Sequence, residues 1–396
     1  MNILVTGAKG FIGKNLVLTL QNIRDIQGKR DQTDIDFHIF EFDQDTDKKL
    51  LEIYCKSADF VFHLAGVNRP HNQSEYMEGN FGFTSVLLDT LKKYHNTCPI
   101  MLSSSIQAGL EGRYADSEYG KSKKAGEDLV LSYGKETGAS IYIYRFPNVF
   151  GKWCRPNYNS AIATFCHNIA CGEPICVHDR NVKMTLVYID DVVEELIRAL
   201  YGNATMDEKG YCYVPVEHHA ALGELVDMIY SFQECREKGI VADMTEGSLS
   251  KKLYATYISY LPEDKFSTCL NMHTDERGSF TEILRTMDKG QFSVNISKPG
   301  VVKGEHWHHT KHEKFLVVSG KALIRLRKVG IDPVTKDKYP VIEYHVSGET
   351  LELVDIPTGY THNIINEGEC DLVTFMWSSE CFDPERLDTY RLKVEE

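Results

Sequence analysis

No stretch of this 396-residue chain is apolar for long enough to cross a bilayer, so insertion into a membrane is not expected. No signal-peptide pattern precedes the first strand, which begins at residue 2. The 11 cysteines are scattered and odd in number, and no two form a Cys-x-x-Cys pair. That excludes a disulfide framework and a thiolate zinc site, and it reads as reduced thiols in a cytoplasm. Positive charge is in short supply. Lys and Arg number 44 against 57 Asp and Glu, a formal net charge of -13, which argues against nucleic acid or an anionic membrane as partner. Internal repeats and low-complexity tracts are also missing. What the chain has is length for two domains and enough hydrophobic (42%) and aromatic (11%) residues for ordinary cores.

The chain opens on Ile3, Leu4 and Val5, a short apolar run of buried-strand type, followed by Thr6-Gly7-Ala8-Lys9-Gly10-Phe11-Ile12-Gly13. A helical pattern starts at about Phe11. Glycine at 7, 10 and 13 lets such a turn close tightly and approach a pyrophosphate, while the helix N-terminus offers free N–H groups. This context, strand then glycine turn then helix, is the one a dinucleotide site requires. Strands and helices then alternate to about residue 145. Strands are expected at 38–42, 60–64, 99–102 running into Ser103-Ser104-Ser105, and 140–145. Helices are expected at about 74–94 and 117–136. The pattern predicts a doubly wound parallel sheet, with ligands at the carboxyl ends of its strands, where Gly7, Gly66, Ser105 and Arg145 lie. Gly7, Lys9, Gly10, Phe11, Ile12 and Gly13, with Leu64 and Ala65, are the expected cofactor contacts.

From 151 to about 260 the pattern loosens, and a substrate-covering region is expected. The boundary is read near Leu261-Pro262-Glu263-Asp264, giving domains at 1–260 and 261–396. Beyond it come short alternating strands such as 315–318, 322–326 and 351–354, the mark of an all-β sandwich or barrel.

Tyr119 and Lys123 stand four apart at a helix start and share a face. An ammonium beside a phenol favours the phenolate, so Tyr119 is expected to have a lowered pKa and to serve as a general acid–base. With the glycine turn and Ser103-Ser104-Ser105, these residues resemble the extended short-chain dehydrogenase/reductase family, over about the first 250 residues. The resemblance implies a Rossmann-like fold, Tyr119 as proton donor, Lys123 as its partner and ribose ligand, and Ser105 as the serine, with Ser104 the alternative. Asn80-Phe-Gly-Phe-Thr84 matches the family's Asn-x-x-Gly-Thr motif in part. Arg145-Phe-Pro-Asn148 resembles its substrate-side loop. Sugar nucleotide dehydratases of the family carry Asp-Glu where this chain has Ile106-Gln107, which leaves keto reduction or epimerisation. Glu41 or Asp43 points to NAD, and Lys9 to the 2′-phosphate of NADP.

In the second half, His306-Trp-His308-x4-Glu313 and the later His362 offer three imidazoles and a carboxylate. Two histidines at alternate strand positions face one side, and the set suits a divalent metal. The two motifs resemble the cupin superfamily over about residues 266–396. Asp275-Glu-Arg277-Gly-Ser-Phe-Thr-Glu282 resembles the start of the dTDP-4-dehydrorhamnose 3,5-epimerases, where the arginine approaches nucleotide phosphate. Lys303, Asp355 and His312 are candidates for the base that removes a C3 proton.

Leu64-Ala-Gly-Val-Asn68-Arg69-Pro70, Gly151-Lys-Trp-Cys154 and His306-Trp-His-His-Thr-Lys311 extend the likeness to the whole chain, which resembles a family of bifunctional capsular polysaccharide enzymes. That resemblance implies a UDP-2-acetamido-2,6-dideoxy-4-hexulose substrate epimerised at C3 by the cupin, then reduced at C4 with NADPH (NADH being the alternative). It also implies a UDP-N-acetyl-L-talosamine-type product, a zinc-binding cupin, a homodimer, and Asn68, Arg69, Asn148 and Arg277 as substrate contacts. A reductase whose cupin is purely structural, and a sugar nucleotide sensor without activity, remain the rival readings.

Overall fold

A computed structural model of the chain describes residues 1–30, 37–70 and 72–396. Its backbone divides into two units, residues 1–230 with 247–262 and residues 231–246 with 263–396. The segment 231–246 folds with the second unit, where Val241 N–H donates to the Arg285 carbonyl.

In the first unit, β1 (Asn2–Thr6), β2 (His38–Phe42), β3 (Phe60–His63), β4 (Ile100–Ser105) and β5 (Ile141–Phe146) form a parallel sheet in the order β2-β1-β3-β4-β5. Strand order reverses between β1 and β3, and a crevice opens at such a reversal. Consecutive β1 side chains point to opposite faces. Ile3 and Val5 pack with Leu16, Leu20 and Val192 on one side. Leu4 packs with Leu51, Leu87 and Val130 on the other. Each of the three is fully buried, which contributes about 1.5–3 kcal/mol per side chain. This two-sided burial is why the run reads as continuous rather than alternating hydrophobicity.

The helix Glu118–Thr137 starts where the Ser117 hydroxyl accepts from Gly120 N–H at 2.9 Å. It ends at Gly138, whose φ is 78°. The single helix expected over 74–94 is instead interrupted. A π-helical turn, Met77–Gly82, separates Ser74–Tyr76 from the α-helix Phe83–Lys93. The wider turn brings Asn80 inward, where its amide holds both Val67 N–H (2.9 Å) and Val67 C=O (3.0 Å). Beyond residue 146, β6 (Asn148–Phe150), β7 (Lys183–Tyr188) and β8 (His218–Ala221) form a small mixed sheet with flanking helices.

The named strands of the second unit pair antiparallel. One sheet runs β16 (Leu353–Ile356), β13 (Glu313–Ser319), β18 (Leu372–Ser378), β11 (Gln291–Ser297), β10 (Gly278–Arg285), β9 (Met272–Asp275). The other runs β15 (Ile342–Ser347), β14 (Lys321–Lys328), β17 (Tyr360–Asn366), β12 (Val302–Trp307), β19 (Tyr390–Arg391). Phe315, Val317 and Leu372 of the first sheet share a core with Ile324, Leu326 and Ile364 of the second. Strand β16 begins two residues later than expected, after a turn bridged by Ser347 and Thr350. Among the described residues, no helix is long and apolar enough to cross a membrane.

Candidate functional site

In the first unit a cavity of about 1060 Å³ opens at the β1/β3 crossover. Gly7, Lys9, Gly10, Phe11, Ile12 and Gly13 line it, with Leu64, Ala65, Asn68, Ser105, Tyr119, Lys123 and Asn148. The glycines are required by space. Gly7 has φ 71°, and a Cβ there would stand 2.7 Å from Ala65 N; a Cβ on Gly13 would stand 2.1 Å from the Gly7 carbonyl oxygen. Arg69 lies just beyond Asn68 but does not line the cavity.

Lys9 departs from the role its position implies. Its ammonium is ion-paired with Asp45, and its backbone N–H donates to Asp43 Oδ2 at 2.8 Å. Asp43 and Asp45, just past β2, are thus tied to the glycine turn.

Tyr119, half-buried, lines this cavity together with Ser105. Lys123 Nζ lies 5.8 Å from the Tyr119 ring centroid and donates to the Ser103 carbonyl at 3.1 Å. The sequence led us to expect a phenol pKa lowered by Lys123. In the structure burial pushes it well above its ordinary value, the Tyr76 phenol adds to this, and the neighbouring Ser105 hydroxyl only partly opposes it. Tyr119 is therefore a neutral phenol, the form that gives a proton. Lys123 is pushed down to about 8 by burial, with Glu127 pulling the other way.

The two candidate serines differ in their partners. Both border the cavity, but Ser104 donates to the buried Glu127 Oε1 at 2.6 Å, whereas Ser105 accepts from Gln107 N–H at 3.2 Å. Arg145, expected at the ligand side, also turns to Glu127, with contacts of 2.9 and 2.6 Å, and stacks 3.7 Å above the Tyr211 ring.

Behind the floor of the cavity runs a network the sequence did not suggest. Thr84 gives its proton to the Asn80 carbonyl (2.6 Å), so it accepts from His63 Nε2–H (2.8 Å). His63 Nδ1 then accepts from the Thr6 hydroxyl at 2.7 Å. Burial, assisted by Lys123, pushes His63 down to about 3, so the ring is neutral.

In the second unit a cavity of about 680 Å³ is lined by His306, Glu313, His362, Arg277 and Lys303. His306 and His362 stand directly opposite one another on β12 and β17. The register slips between Gly304 and His306, with Glu305 at φ 59°. Such a bulge re-aims the residues that follow it. The strand ends at Trp307, yet His308 still brings its ring to 4.9 Å from His306.

One donor atom from each of His306, His308, Glu313 and His362 lies within 4.8 Å of the others. His308 Nε2, Glu313 Oε2 and His362 Nε2 are buried without a hydrogen-bond partner. Orphaned buried donors and acceptors are costly unless something fills the centre between them. A three-imidazole, one-carboxylate set fits zinc or a similar divalent cation. Burial pushes His306 down to about 4, with His362 adding to it. Burial also pushes Glu313 up, but the adjoining His308 and His362 outweigh it and hold the carboxyl well below its usual range.

Of the three candidate bases only Lys303 lines this cavity; its ammonium donates to Asn295 Oδ1 (2.7 Å) and the Ile296 carbonyl (2.9 Å). Asp355 pairs with Lys314 at the surface, and His312 packs edge-on against Trp377. Arg277 is paired with Asp275 at 2.5 Å.

Residues 3–211 match the model of the NAD dependent epimerase/dehydratase family, and residues 273–390 that of the Polysaccharide biosynthesis C-terminal domain. Over the full length of both chains, the sequence is 40% identical to a UDP-2-acetamido-2,6-beta-L-arabino-hexul-4-ose reductase of Pseudomonas aeruginosa. The crystal structure of the capsular polysaccharide assembling protein CapF from Staphylococcus aureus matches with a TM-score of 0.88 at 50% identity, again covering all of both chains. A stretch of 128 residues, 31% of this chain and 83% of the other, is 29% identical to the spore coat polysaccharide biosynthesis protein SpsL of Bacillus subtilis.

Proposed function

The chain belongs to the NAD dependent epimerase/dehydratase family, and from that premise we propose that it is a bifunctional enzyme of surface-polysaccharide precursor synthesis. Its first unit is an extended short-chain reductase and its second a cupin. The substrate is a UDP-2-acetamido-2,6-dideoxy-4-hexulose. The second unit inverts C3, and the first then reduces the C4 ketone to a UDP-N-acetyl-L-talosamine-type product. The observation that carries the reading is that each unit has its own cavity, one lined by Ser105, Tyr119 and Lys123 and the other by His306, Glu313, His362 and Lys303.

Order follows from chemistry. A C3 proton is acidic only while C4 is a ketone, so inversion precedes reduction. NADPH supplies the hydride when bound in the first cavity. Tyr119, a neutral phenol beside Ser105, gives its proton to the C4 oxygen, and the Lys123 ammonium, 5.8 Å from its ring, favours the phenolate left behind. In the second cavity a divalent cation, zinc by the donor set, supplies Lewis-acid polarisation when held by His306, His308, Glu313 and His362. Lys303 holds a fixed ammonium on the same wall.

Asn68 and Asn148 in the first cavity and Arg277 in the second are assigned to the UDP-sugar. NADPH is preferred over NADH on the strength of Lys9, which must leave Asp45 to meet a 2′-phosphate. Equal or faster turnover with NADH would reverse that choice. A homodimer is supported by the outer face of the six-stranded sheet, where Val294, Phe375, Leu316 and Leu353 form one continuous apolar row.

The test is incubation of the protein with the UDP-4-keto-6-deoxy-N-acetylhexosamine in deuterated water without nicotinamide, following C3 by NMR. Deuterium uptake is expected. Absence of uptake, with NADPH oxidation on adding cofactor, would make the second unit a structural module.

A further inference from the structure

The metal ligands are placed by a part of the chain that carries none of them. Asp388 lies 80 residues beyond His308, yet its backbone carbonyl accepts a close hydrogen bond from His308 Nδ1. A carbonyl can only accept, so this contact puts the ring proton on Nδ1 and leaves the Nε2 lone pair free to face Glu313, 3.5 Å away. The Asp388 carboxylate is equally committed. It accepts from the backbone N–H groups of His309, Thr310 and Lys311, each at 2.9 Å, and from the Thr310 hydroxyl at 3.0 Å. One residue therefore fixes the tautomer of a ligand and the turn that leads from His308 towards Glu313.

The segment after Asp388 continues the same task. Tyr390 and Arg391 pair with Trp307 and His306 on β12. Leu392 N–H donates to the Glu305 carbonyl (3.1 Å), and Val394 N–H to the Glu305 carboxylate (2.7 Å). That carboxylate also accepts from Asn363, next to His362, at 2.8 Å. Arg327 closes the strap by donating to the Val394 carbonyl at 2.6 Å, and Val394 is fully buried. The strained bulge residue Glu305 is thus held by the strap on one side and by Asn363, next to His362, on the other.

We propose that Asp388 is a positioning residue for the metal centre, and that its carboxylate, by holding the turn 309–311, keeps its own carbonyl on His308 Nδ1 and so sets metal affinity by presenting His308 in the ligating tautomer. The inference rests on the divalent-metal reading of the four-residue cluster. Groups that orient ligating histidines commonly account for about 10–100-fold in metal affinity.

The experiment uses the full-length chain, stripped of metal with chelator and titrated with zinc against a chromophoric competitor. The visible spectrum of its cobalt form provides a second readout. The variants are Asp388→Ala, Asp388→Asn and Asp388→Glu. Asp388→Ala is expected to weaken zinc binding about 10–100-fold and to shift the cobalt bands. Asp388→Asn, which keeps one acceptor oxygen, should lose less, and Asp388→Glu should recover part of the loss.

Melting of each variant is followed in zinc and in EDTA. A deficit seen in zinc but not in EDTA supports the assignment. Zinc affinity and cobalt spectrum unchanged in Asp388→Ala, or an equal deficit in both media, would overturn it. If the unsubstituted protein binds neither zinc nor cobalt at one equivalent, the metal reading itself fails, an outcome distinct from the other two.

Discussion

Replacing Arg145 with methionine removes the cation ion-paired with Glu127, leaving only the Lys123 ammonium at longer range. Glu127 is fully buried. Arg145 meets it through Nε at 2.9 Å and Nη2 at 2.6 Å, and Ser104 adds a hydrogen bond of 2.6 Å. At a charge separation of about 4 Å and an effective dielectric near 20, the pair attracts by about 4 kcal/mol. Removing one partner of a buried pair costs about 3–5 kcal/mol, because the other charge is stranded. Ser104 remains to solvate it, so the lower end applies and about 3 kcal/mol is expected. In a unit of this size that is a fall of about 6–12 °C in melting temperature. The double variant Glu127→Gln/Arg145→Met removes both charges and should recover more than half of the loss. The assay is urea unfolding read by Trp153, made the sole tryptophan by Trp307→Phe and Trp377→Phe. A loss below about 1 kcal/mol in Arg145→Met would refute the argument, since it would mean that the carboxylate is solvated or protonated without its partner.

Three further outcomes follow from named groups. His63 has a folded pKa of about 3 against an ordinary 6.5. Its stabilising effect is complete above pH 6.5 and is lost as pH falls towards 3, since only the unfolded chain takes the proton. The stability difference between the protein and His63→Asn should therefore shrink by about 2 kcal/mol from pH 7.5 to 5, and a constant difference in chemical denaturation would contradict it. Glu313→Gln should abolish the rise in melting temperature that zinc gives the second unit, read by Trp307 and Trp377; at a zinc concentration of about 1,000 times Kd that rise corresponds to about 4 kcal/mol. Tyr119→Phe should slow C4 reduction by about 10²–10⁴-fold while leaving C3 deuterium exchange at its original rate, and parallel loss of both would show that the two sites are not independent.

Local signals account for what the sequence alone determined. The glycine turn after Ile3-Leu4-Val5, the strand–helix alternation and the helix capped by Ser117 and Gly138 each depend on residues within a few positions of one another. So do the pairing of Tyr119 with Lys123 on one helical face and the short strands of the second half. Backbone sterics, capping and side-chain periodicity act over that range, and a linear reading recovers them. The four residues of the candidate metal cluster were also legible, because His, His and Glu fall within one motif and only His362 is distant.

What only the tertiary structure decided involves groups that meet across long separations, or whose charge depends on burial. Ser104 and Ser105 are adjacent in sequence and equivalent in chemistry, and the pleat of β4 sends Ser104 to Glu127 and turns Ser105 the other way, where it accepts from Gln107 N–H. Arg145 lies at a strand end where ligands gather, yet the buried carboxylate of Glu127 takes it instead. Spacing correctly joined Tyr119 to Lys123 but put the phenol pKa shift in the wrong direction, because burial outweighs an ammonium that lies 5.8 Å from the ring and is bound to a carbonyl. Lys303, Asp355 and His312 were equal candidates on paper, and the fold lines the cavity with only the first. Asp388 had no local signal at all, since its significance lies in a carbonyl and a carboxylate brought to His308 and its turn by chain packing 80 residues away.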